Sequence, residues 1–237
     1  VFDPTNDLGA GPFHSPYRFN PLSFEVDGKK YGFERPISTQ QTGFVFVGQM
    51  RNTLPDEVGG VLWFGVDDAR FTVFTPMYGC ITEVPECYRH GVGDFTHFSW
   101  KSAFWVHTWV ANMAYARYDQ MVVDAQSLQD KLENGYLDAQ PSIEQRATTF
   151  PDREKTLTFL TDYSAQVAQT ALDEWKQLGE YLTVKYMDGV VKKEANGQFL
   201  QNPYGGTLYP NRPKMDENYL RAIIQQKGQW LQEKEIE

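Results

Sequence analysis

The sequence predicts an α+β fold, in which an antiparallel sheet comes first and long helices follow. Before residue 98, short runs of β-branched and aromatic residues alternate with turn signals. From residue 99 onward, apolar residues recur every three or four positions, which is the period of a helix. We therefore expect a sheet-rich part over residues 1–98 and a helical part over residues 99–237 of the same domain.

The composition of the chain argues against several classes of binding partner, among them nucleic acids, membranes and metal ions. Its 237 residues are enough to bury a core, and 15% of them are aromatic. A net charge of −9 without a stripe of Lys and Arg argues against binding to nucleic acid. No apolar run approaches the roughly 18 residues of a membrane-spanning helix. No metal-ligand spacing surrounds Cys80 and Cys87, so we predict neither a metal nor a cofactor.

The sheet-rich part begins with a loop and a hairpin. Residues 1–20 are rich in Gly, Pro and aromatic residues without a period, which predicts an extended loop. Apolar runs at residues 22–26 and 31–33 flank Asp27 and Gly28, a pair typical of the tight turn in a β-hairpin.

Three further runs are predicted strands, and they cover residues 42–49, 60–66 and 71–75. The runs around Phe44 and Val61 are almost continuous in apolar residues, which is typical of strands covered on both faces. The pattern therefore predicts a sheet inside a layered structure, rather than a sheet with one face in water.

Three segments with helical period follow. Residues 99–118 begin at Ser99, a residue that can cap a helix, and have two apolar faces, which predicts a buried helix. Residues 120–146 are predicted to form a helix with one exposed side. Residues 153–186 carry a long apolar stripe and predict a helix roughly 50 Å long, unless Gly179 bends it.

The last fifty residues or so are predicted to contain a hairpin, a loop and a helix. Asp188-Gly189 and Asn196-Gly197 are turn signals at the two ends of a short polar hairpin. Residues 202–214 form a loop rich in Pro and Gly, and residues 216–234 form an amphipathic helix.

Three long, ordered blocks rich in Trp, Gly and Asp carry a resemblance to a known family. They are ERPISTQQTGFVFVGQMR (34–51), GGVLWFGVDDARFTVFTPMYGCITEVPECY (59–88) and FSWKSAFWVHTWVANMAYARY (98–118). These blocks resemble peptidase family C69, a family of dipeptidases, and residues 11–31 and 160–189 fit the same pattern. The resemblance implies an N-terminal-nucleophile hydrolase with an αββα sandwich, of which this chain is the C-terminal part.

The resemblance also implies a catalytic cysteine at the N-terminus of the mature enzyme. Its thiolate attacks the amide carbonyl, and its own α-amine, with an ordinary pKa of about 7.7–8.0, acts as the base. This chain begins with Val1, and Cys80 and Cys87 are internal. We therefore expect no catalytic residue here, a nucleophile in a missing N-terminal half, and no activity from this chain alone.

Two arginines are candidate anchors for the substrate. Arg35 lies at the entry to a predicted buried strand, where a guanidinium could bind a dipeptide carboxylate. A surface ion pair with Glu34 or Asp27 explains Arg35 nearly as well. Arg18, in the predicted first loop, is a further candidate for substrate binding.

Four polar residues near the predicted strands are the remaining substrate-binding candidates. Ser38, Thr39 and Gln40 lead directly into the core, where polar side chains need partners, although capping of a strand end would also explain them. Asp67 follows a buried strand and could orient an ammonium group, either that of a dipeptide or that of the nucleophile. A tight turn explains it equally well. His107 lies on an apolar helical face and is predicted to be a core histidine.

The leading interpretation is a cysteine-type dipeptidase, with a dipeptide and the missing N-terminal half as partners. An acylase of the same superfamily acting on non-peptide amides, or a non-catalytic binding module, are the alternatives. The Arg and Asp candidates favour a dipeptide, because both of its ends are charged. An exposed sheet edge could also support a homo-oligomer. The sequence leaves the dipeptide preference and the compartment, cytoplasmic or exported, open.

Overall fold

A computed structural model describes residues 3–16, 23–32 and 36–231 of the chain, with side chains as far as residue 228. The chain divides into two compact units. The first consists of Val1–Ile37, Ala114–Val122 and Leu182–Glu237. The second consists of Ser38–Met113 and Val123–Tyr181. Arg18, Glu34 and Arg35 lie outside the described residues, so their predicted roles stay predictions.

The second unit contains an antiparallel sheet of three strands in the order β3-β4-β5. Strand β3 is Phe44–Met50, β4 is Gly60–Val66 and β5 is Thr75–Tyr78. The ladder between β3 and β4 is regular, pairing Phe44 with Val66 at one end and Met50 with Gly60 at the other. The predicted strands at residues 42–49 and 60–66 are confirmed.

The predicted strand at residues 71–75 is wrong, because the third strand of this sheet begins only at Thr75. Side chains of a helix later in the chain form hydrogen bonds to the backbone of this segment. They occupy N–H and C=O groups that pairing with another strand would use. Gln129 Nε2 donates to the carbonyls of Arg70 and Thr72 at 3.1 and 2.6 Å. The Phe74 N–H donates to Glu133 Oε1 at 2.9 Å. These contacts satisfy the backbone without a strand partner.

Strand β3 was predicted to be covered on both faces, and this is wrong. Phe44, Phe46 and Val47 are 60%, 54% and 56% exposed, and Met50 is 83% exposed. The reason is position: β3 is the last strand at one edge of this sheet, and β4 is its partner. Strand β4, in the centre, is more buried than β3, but Leu62 is 38% exposed, so β4 is not covered on both faces as predicted.

A partly buried ion pair connects the sheet to a helix within the second unit. The Arg51 guanidinium contacts both carboxylate oxygens of Glu144 at 2.9 and 2.6 Å and donates to the Val58 carbonyl at 2.6 Å. Gln140 Nε2 joins this network by donating to Glu144 Oε1 at 2.8 Å and to Gln49 Oε1 at 2.9 Å. Bidentate geometry of this kind fixes both partners in place.

The long helices confirm the predicted periods, with shifted ends. A short helix, α1, covers Asp56–Gly59, and α2 covers Ala103–Tyr115, so it begins after the predicted cap Ser99. Helix α3 is Tyr118–Ala147 and α4 is Arg153–Tyr186. The inward stripe of α4 is buried, and it consists of Leu160, Ser164, Val167, Ala171, Trp175, Leu178 and Leu182.

The first unit holds two small hairpins and the last helix. Strands β1 (Phe24–Val26) and β2 (Lys29–Tyr31) form the predicted hairpin, although the second strand begins two residues earlier than predicted. The turn residues Asp27 and Gly28 have φ angles of 52° and 72°. Strands β6 (Glu194–Ala195) and β7 (Gln198–Phe199) form the second hairpin, and α5 covers Glu217–Leu231. The predicted first loop contains a 3₁₀ segment at Leu8–Phe13.

The predicted α+β class is confirmed, with small antiparallel sheets and long helices. This architecture is compatible with the αββα sandwich that the resemblance implies. Among the described residues, no helix combines the length and apolarity that crossing a bilayer requires. The division into a sheet-rich part over residues 1–98 and a helical part over residues 99–237 of one domain stays a prediction.

Candidate functional site

The predicted site residues that the structure describes lie at two places in the second unit. Ser38, Thr39 and Gln40 form a turn-rich segment ahead of β3, and Asp67 directly follows β4. The antiparallel ladder makes these places adjacent, because the Asp67 N–H donates to the Gly43 carbonyl at 3.0 Å. The register of β3 and β4 therefore brings together residues that are separated by almost thirty positions in the sequence.

The segment ahead of β3 contacts the turn after β4 through Ser38. The Ser38 hydroxyl donates to Asp68 Oδ1 and also accepts the backbone N–H of Arg70 at 3.1 Å. The Arg70 N–H also lies 2.9 Å from Asp68 Oδ1. Thr39 is buried and its hydroxyl bonds to the side chain of Gln41. Ser38 and Thr39 are thus held within this part of the protein by their own hydrogen bonds.

Asp67 combines an unusual backbone conformation with an incompletely bonded carboxyl group. Its φ angle is 64°, in the left-handed region that non-glycine residues seldom adopt. The side chain is only 1% exposed. Oδ1 accepts the Thr108 hydroxyl at 3.0 Å, while the buried Oδ2 has no hydrogen-bond partner among the described residues. Strain and an unpaired buried polar atom in one residue are typical of functional sites.

The ionisation of Asp67 is correspondingly perturbed. Burial raises the pKa of the Asp67 carboxyl to about 7. The backbone N–H of Asp68 and the hydroxyl of Thr108 lower that pKa, and the negative charge of Asp68 raises it slightly. Because desolvation dominates, a cation placed beside Asp67 would favour its ionised form. A carboxyl group with a pKa in this range is a candidate binding or catalytic group.

Helix α2 supplies two residues that the sequence analysis did not select. Thr108 bonds to Asp67, and the Asn112 side chain donates to the Thr108 carbonyl at 2.7 Å. Gln40 Nε2 in turn lies 3.4 Å from Asn112 Oδ1. A signal was present in the sequence, because Thr108 and Asn112 are polar residues four positions apart on a helix whose other residues, except His107, are apolar or aromatic. We call the set Ser38, Gln40, Asp67, Asp68, Thr108 and Asn112 the polar cluster.

Neither internal cysteine is arranged as a nucleophile. Burial raises the pKa of the Cys80 thiol, whose Sγ donates to the Glu57 carbonyl at 3.1 Å. Burial raises the pKa of Cys87 to about 12. A nucleophilic cysteine needs a thiolate at neutral pH, and both thiols here stay protonated.

His107 is a core histidine, as predicted. It is 1% exposed, its ring stacks on that of Trp175 with centroids 5.1 Å apart, and Nδ1 lies 2.8 Å from the Ala103 carbonyl. Burial lowers the pKa of His107 to about 4, so the ring is neutral at physiological pH.

A cleft of about 280 Å³ lies away from the polar cluster, lined by residues that include Pro55, Val58, Phe150 and Arg153. The guanidinium of Arg153 pairs with Glu57 there at 3.0 Å. No residue of the polar cluster lines this cleft, and we place the candidate site at the cluster, because the unpaired Asp67 oxygen is there. In the part of the chain that is described, no group of His, Cys, Asp and Glu side chains is arranged to hold a metal ion.

Comparison with known proteins gives a family match and two relatives. The family model of peptidase family C69 matches residues 1–131. The chain is 25% identical over 145 residues to a probable dipeptidase B of Lactococcus lactis subsp. lactis (strain IL1403), a match that covers 61% of this chain and 29% of that protein. It is 29% identical over 100 residues to a probable dipeptidase of Latilactobacillus sakei, covering 42% and 20%. The matched region thus spans less than a third of each relative.

Proposed function

Because this chain belongs to peptidase family C69, we propose that it is part of a cysteine-type dipeptidase and that the polar cluster binds the dipeptide. Two relatives that carry the name of probable dipeptidase support this proposal. Since those relatives are much longer than the matched region, the proposal concerns the longer protein of which this chain forms a part.

The observation that carries the proposed substrate is the Oδ2 atom of Asp67. A buried carboxylate oxygen without a partner is costly, and a bound ammonium would satisfy it with a charge-assisted hydrogen bond. A dipeptide offers such an ammonium at its α-amino end. Because Oδ2 is covered by the surrounding residues, the ammonium reaches it when neighbouring side chains move aside.

The proposed nucleophile is an N-terminal cysteine outside this sequence. The two cysteines of this chain support that assignment, since burial keeps the pKa of both thiols above its ordinary range. In the proposed reaction, a thiolate sulfur bonds to the carbonyl carbon of the dipeptide, and the carbon–nitrogen bond then breaks. The departing amine takes up a proton, and water hydrolyses the resulting thioester to regenerate the thiolate.

The remainder of the longer protein is the proposed partner of this chain, and β3 is the surface on which it packs. Phe44, Phe46 and Met50 alternate along β3 and are all more than half exposed. An exposed strand edge with apolar side chains associates readily with another strand. Without that remainder, we expect this chain to hydrolyse no dipeptide.

The test is the release of amino acids from dipeptides by the longer protein, with and without Asp67→Asn. We expect the wild type to cleave free dipeptides, and we expect Asp67→Asn to lower kcat/KM by roughly tenfold or more, because a hydrogen bond to a charged group is lost. Asp188→Asn is the matched control, since Asp188 has a similar φ angle of 61° but is exposed. Failure of the wild type to cleave any dipeptide would overturn the proposed function.

A further inference from the structure

Thr108 is the polar residue of α2 closest to the unusual carboxyl group. It lies between Val106 and Val110, which are both fully buried, and its hydroxyl donates to Asp67 Oδ1 at 3.0 Å. The Asn112 amide holds the backbone carbonyl of the same residue at 2.7 Å. The donor is therefore fixed by a helix and by a second side chain, and not by a loop.

The hydrogen bond from Thr108 distinguishes the two oxygens of Asp67. It occupies Oδ1, while Oδ2 has no partner within the described parts of the chain. A carboxylate that is held at one oxygen presents the other in a defined direction. Thr is also stiff at χ1 within a helix, where the β-branch leaves few rotamers, so its hydroxyl has a limited set of positions.

From this geometry we infer that Thr108 is a positioning residue, which holds Asp67 so that Oδ2 receives the α-ammonium of the substrate. The inference rests on the proposed dipeptidase function and adds a residue to it. Thr108 acts through Asp67 and does not touch the substrate. The ligand class is a compound with a free primary ammonium beside the amide that is cleaved.

The electrostatics of the site agree with this role. The Thr108 hydroxyl donates to the ionised form of Asp67, and so it lowers the pKa that burial raises. Asp68 is the charged group that acts on Asp67 from the described residues, and its negative charge raises the pKa. Without the hydroxyl, the pKa of Asp67 would rise further, and less of the carboxylate would be ionised at neutral pH.

The test compares Thr108→Val, which keeps the shape and removes the donor, with Thr108→Ser, which restores a hydroxyl. In the longer protein we expect Thr108→Val to raise KM for free dipeptides roughly tenfold with a smaller change in kcat. We also expect the acidic limb of the kcat/KM profile to move to higher pH. Thr108→Ser should restore both properties most of the way.

Thr161→Val is the matched control for lost stability, because Thr161 accepts the backbone N–H of Thr82 at 3.0 Å and lies outside the polar cluster. It should lower the unfolding temperature without changing KM or the pH profile. If Thr108→Val does no more than Thr161→Val, Thr108 is only structural and the inference is wrong.

An N-acetylated dipeptide lacks the free ammonium of the substrate. Comparing it with the free dipeptide shows whether Asp67 binds the ammonium of the substrate or the amine of the nucleophile. If Thr108→Val affects the free dipeptide and spares the N-acetylated one, the substrate supplies the ammonium, as proposed. An equal loss of kcat on both substrates would assign Oδ2 to the amine of the nucleophile and overturn the inference.

A direct titration separates this inference from the proposed function. Carbon-13 NMR of labelled aspartates, with Asp67→Asn for assignment, reports the ionisation of Asp67 whether or not the protein cleaves dipeptides. A titration midpoint that is higher in Thr108→Val than in the wild type supports the coupling. Unchanged midpoints would refute it even in an active enzyme.

Discussion

Asp67 is the residue at which stability and the proposed substrate binding oppose each other. Its carboxyl group is buried, its pKa is raised to about 7, and its backbone is left-handed. Between the ordinary pKa of about 4 and this raised value, the folded protein binds more protons at Asp67 than the unfolded chain does. The contribution of Asp67 to stability is therefore present below about pH 4 and is lost as the pH rises through about 7.

Replacing Asp67 by Asn should stabilise the protein relative to wild type, by an amount that grows with pH. Asn tolerates a positive φ angle and does not ionise, so the variant keeps the turn and removes the buried charge. At about 1.4 kcal/mol per pKa unit, the change in the stability difference between about pH 4 and about pH 8 is on the order of 2–4 kcal/mol. Urea unfolding of both proteins at these two pH values measures it.

Asp188→Asn controls for the left-handed backbone, because Asp188 has a φ angle of 61° and is exposed. Its effect on stability should not depend on pH. His107 also titrates in this range, but it is present in every variant and cancels in the comparison. A stability difference for Asp67→Asn that stays constant with pH would show that the Asp67 carboxyl group has an ordinary pKa in the folded protein.

The residues of the polar cluster divide according to how far local sequence can identify them. Asp67 was predicted because a carboxylate directly follows a strand with a clear pattern. Thr108 was missed because a single hydroxyl hardly alters the apolar character of α2, and its partner is 41 positions away. Contacts between distant segments are decided by the packing of the elements and not by the local pattern. The site roles of Ser38, Thr39, Gln40 and Asp67 stay predictions until variants are measured.

At the scale of elements, the period of the apolar residues predicted the secondary structure of most long segments. It identified β4, α3 and α4 with ends within a few residues of those observed. It failed at residues 71–75, where the apolar residues resemble a strand but Gln129 and Glu133 of α3 bind the backbone instead. The helix that causes this exception begins more than forty residues later, and so no local pattern could reveal it.

At Gly179 in α4, the residue type is determined by a side chain of the neighbouring helix α2. The sequence suggested that this glycine could bend α4, but the structure shows a different use for it. A Cβ atom added at Gly179 would lie 2.2 Å from Cζ3 of Trp109, so the indole ring of α2 occupies the space of the missing side chain. Close approach between α2 and α4 therefore requires glycine at this position.

We expect Gly179→Ala to destabilise the protein by about 1–3 kcal/mol, since the new methyl group overpacks the contact with Trp109. Gly135→Ala is the matched control, because Gly135 is also inside a long helix but has no atom within 4 Å of an added Cβ. That control should instead stabilise the protein by about 0.5–1 kcal/mol. The shift of the urea midpoint relative to wild type, which should have opposite signs for the two variants, measures the difference. Equal effects would mean that Trp109 does not pack against Gly179.

At the scale of the whole molecule, the two faces of the sheet in the second unit differ. Trp63 and Val61 of β4 lie on one face, and both of these side chains are nearly completely buried. On the same face, the side chain of Gln49 bonds to that of Gln140 in α3. Phe44 and Phe46 point to the opposite face and are more than half exposed. The apolar side chains on this second face of β3 are therefore exposed, and they are the ones that the longer protein covers in the packing proposed above.

Backbone amides of β3 provide a test of the proposed packing. The backbone N–H of Asp67 donates to the Gly43 carbonyl, and the N–H of Arg51 donates to the Gly59 carbonyl. The backbone N–H and C=O groups of the odd-numbered residues of β3 therefore point toward β4. The N–H groups of Phe46 and Gly48 consequently point away from β4, toward the outer edge. We expect these two amides to exchange with deuterium within seconds to minutes in this chain alone, and to be strongly protected in the longer protein.

The amides of Val45 and Val47 are internal references, because they face β4 and should be protected in both proteins. Comparison at two protein concentrations separates the two ways in which the edge could be covered. If protection of Phe46 and Gly48 rises with concentration in this chain, a second copy pairs with β3, as expected for a homo-oligomer. If protection appears only in the longer protein and at every concentration, the covering strand belongs to the same polypeptide. Rapid exchange in the longer protein would mean that β3 remains an edge and that no strand of the longer protein pairs with it, while leaving the proposed role of Asp67 untouched.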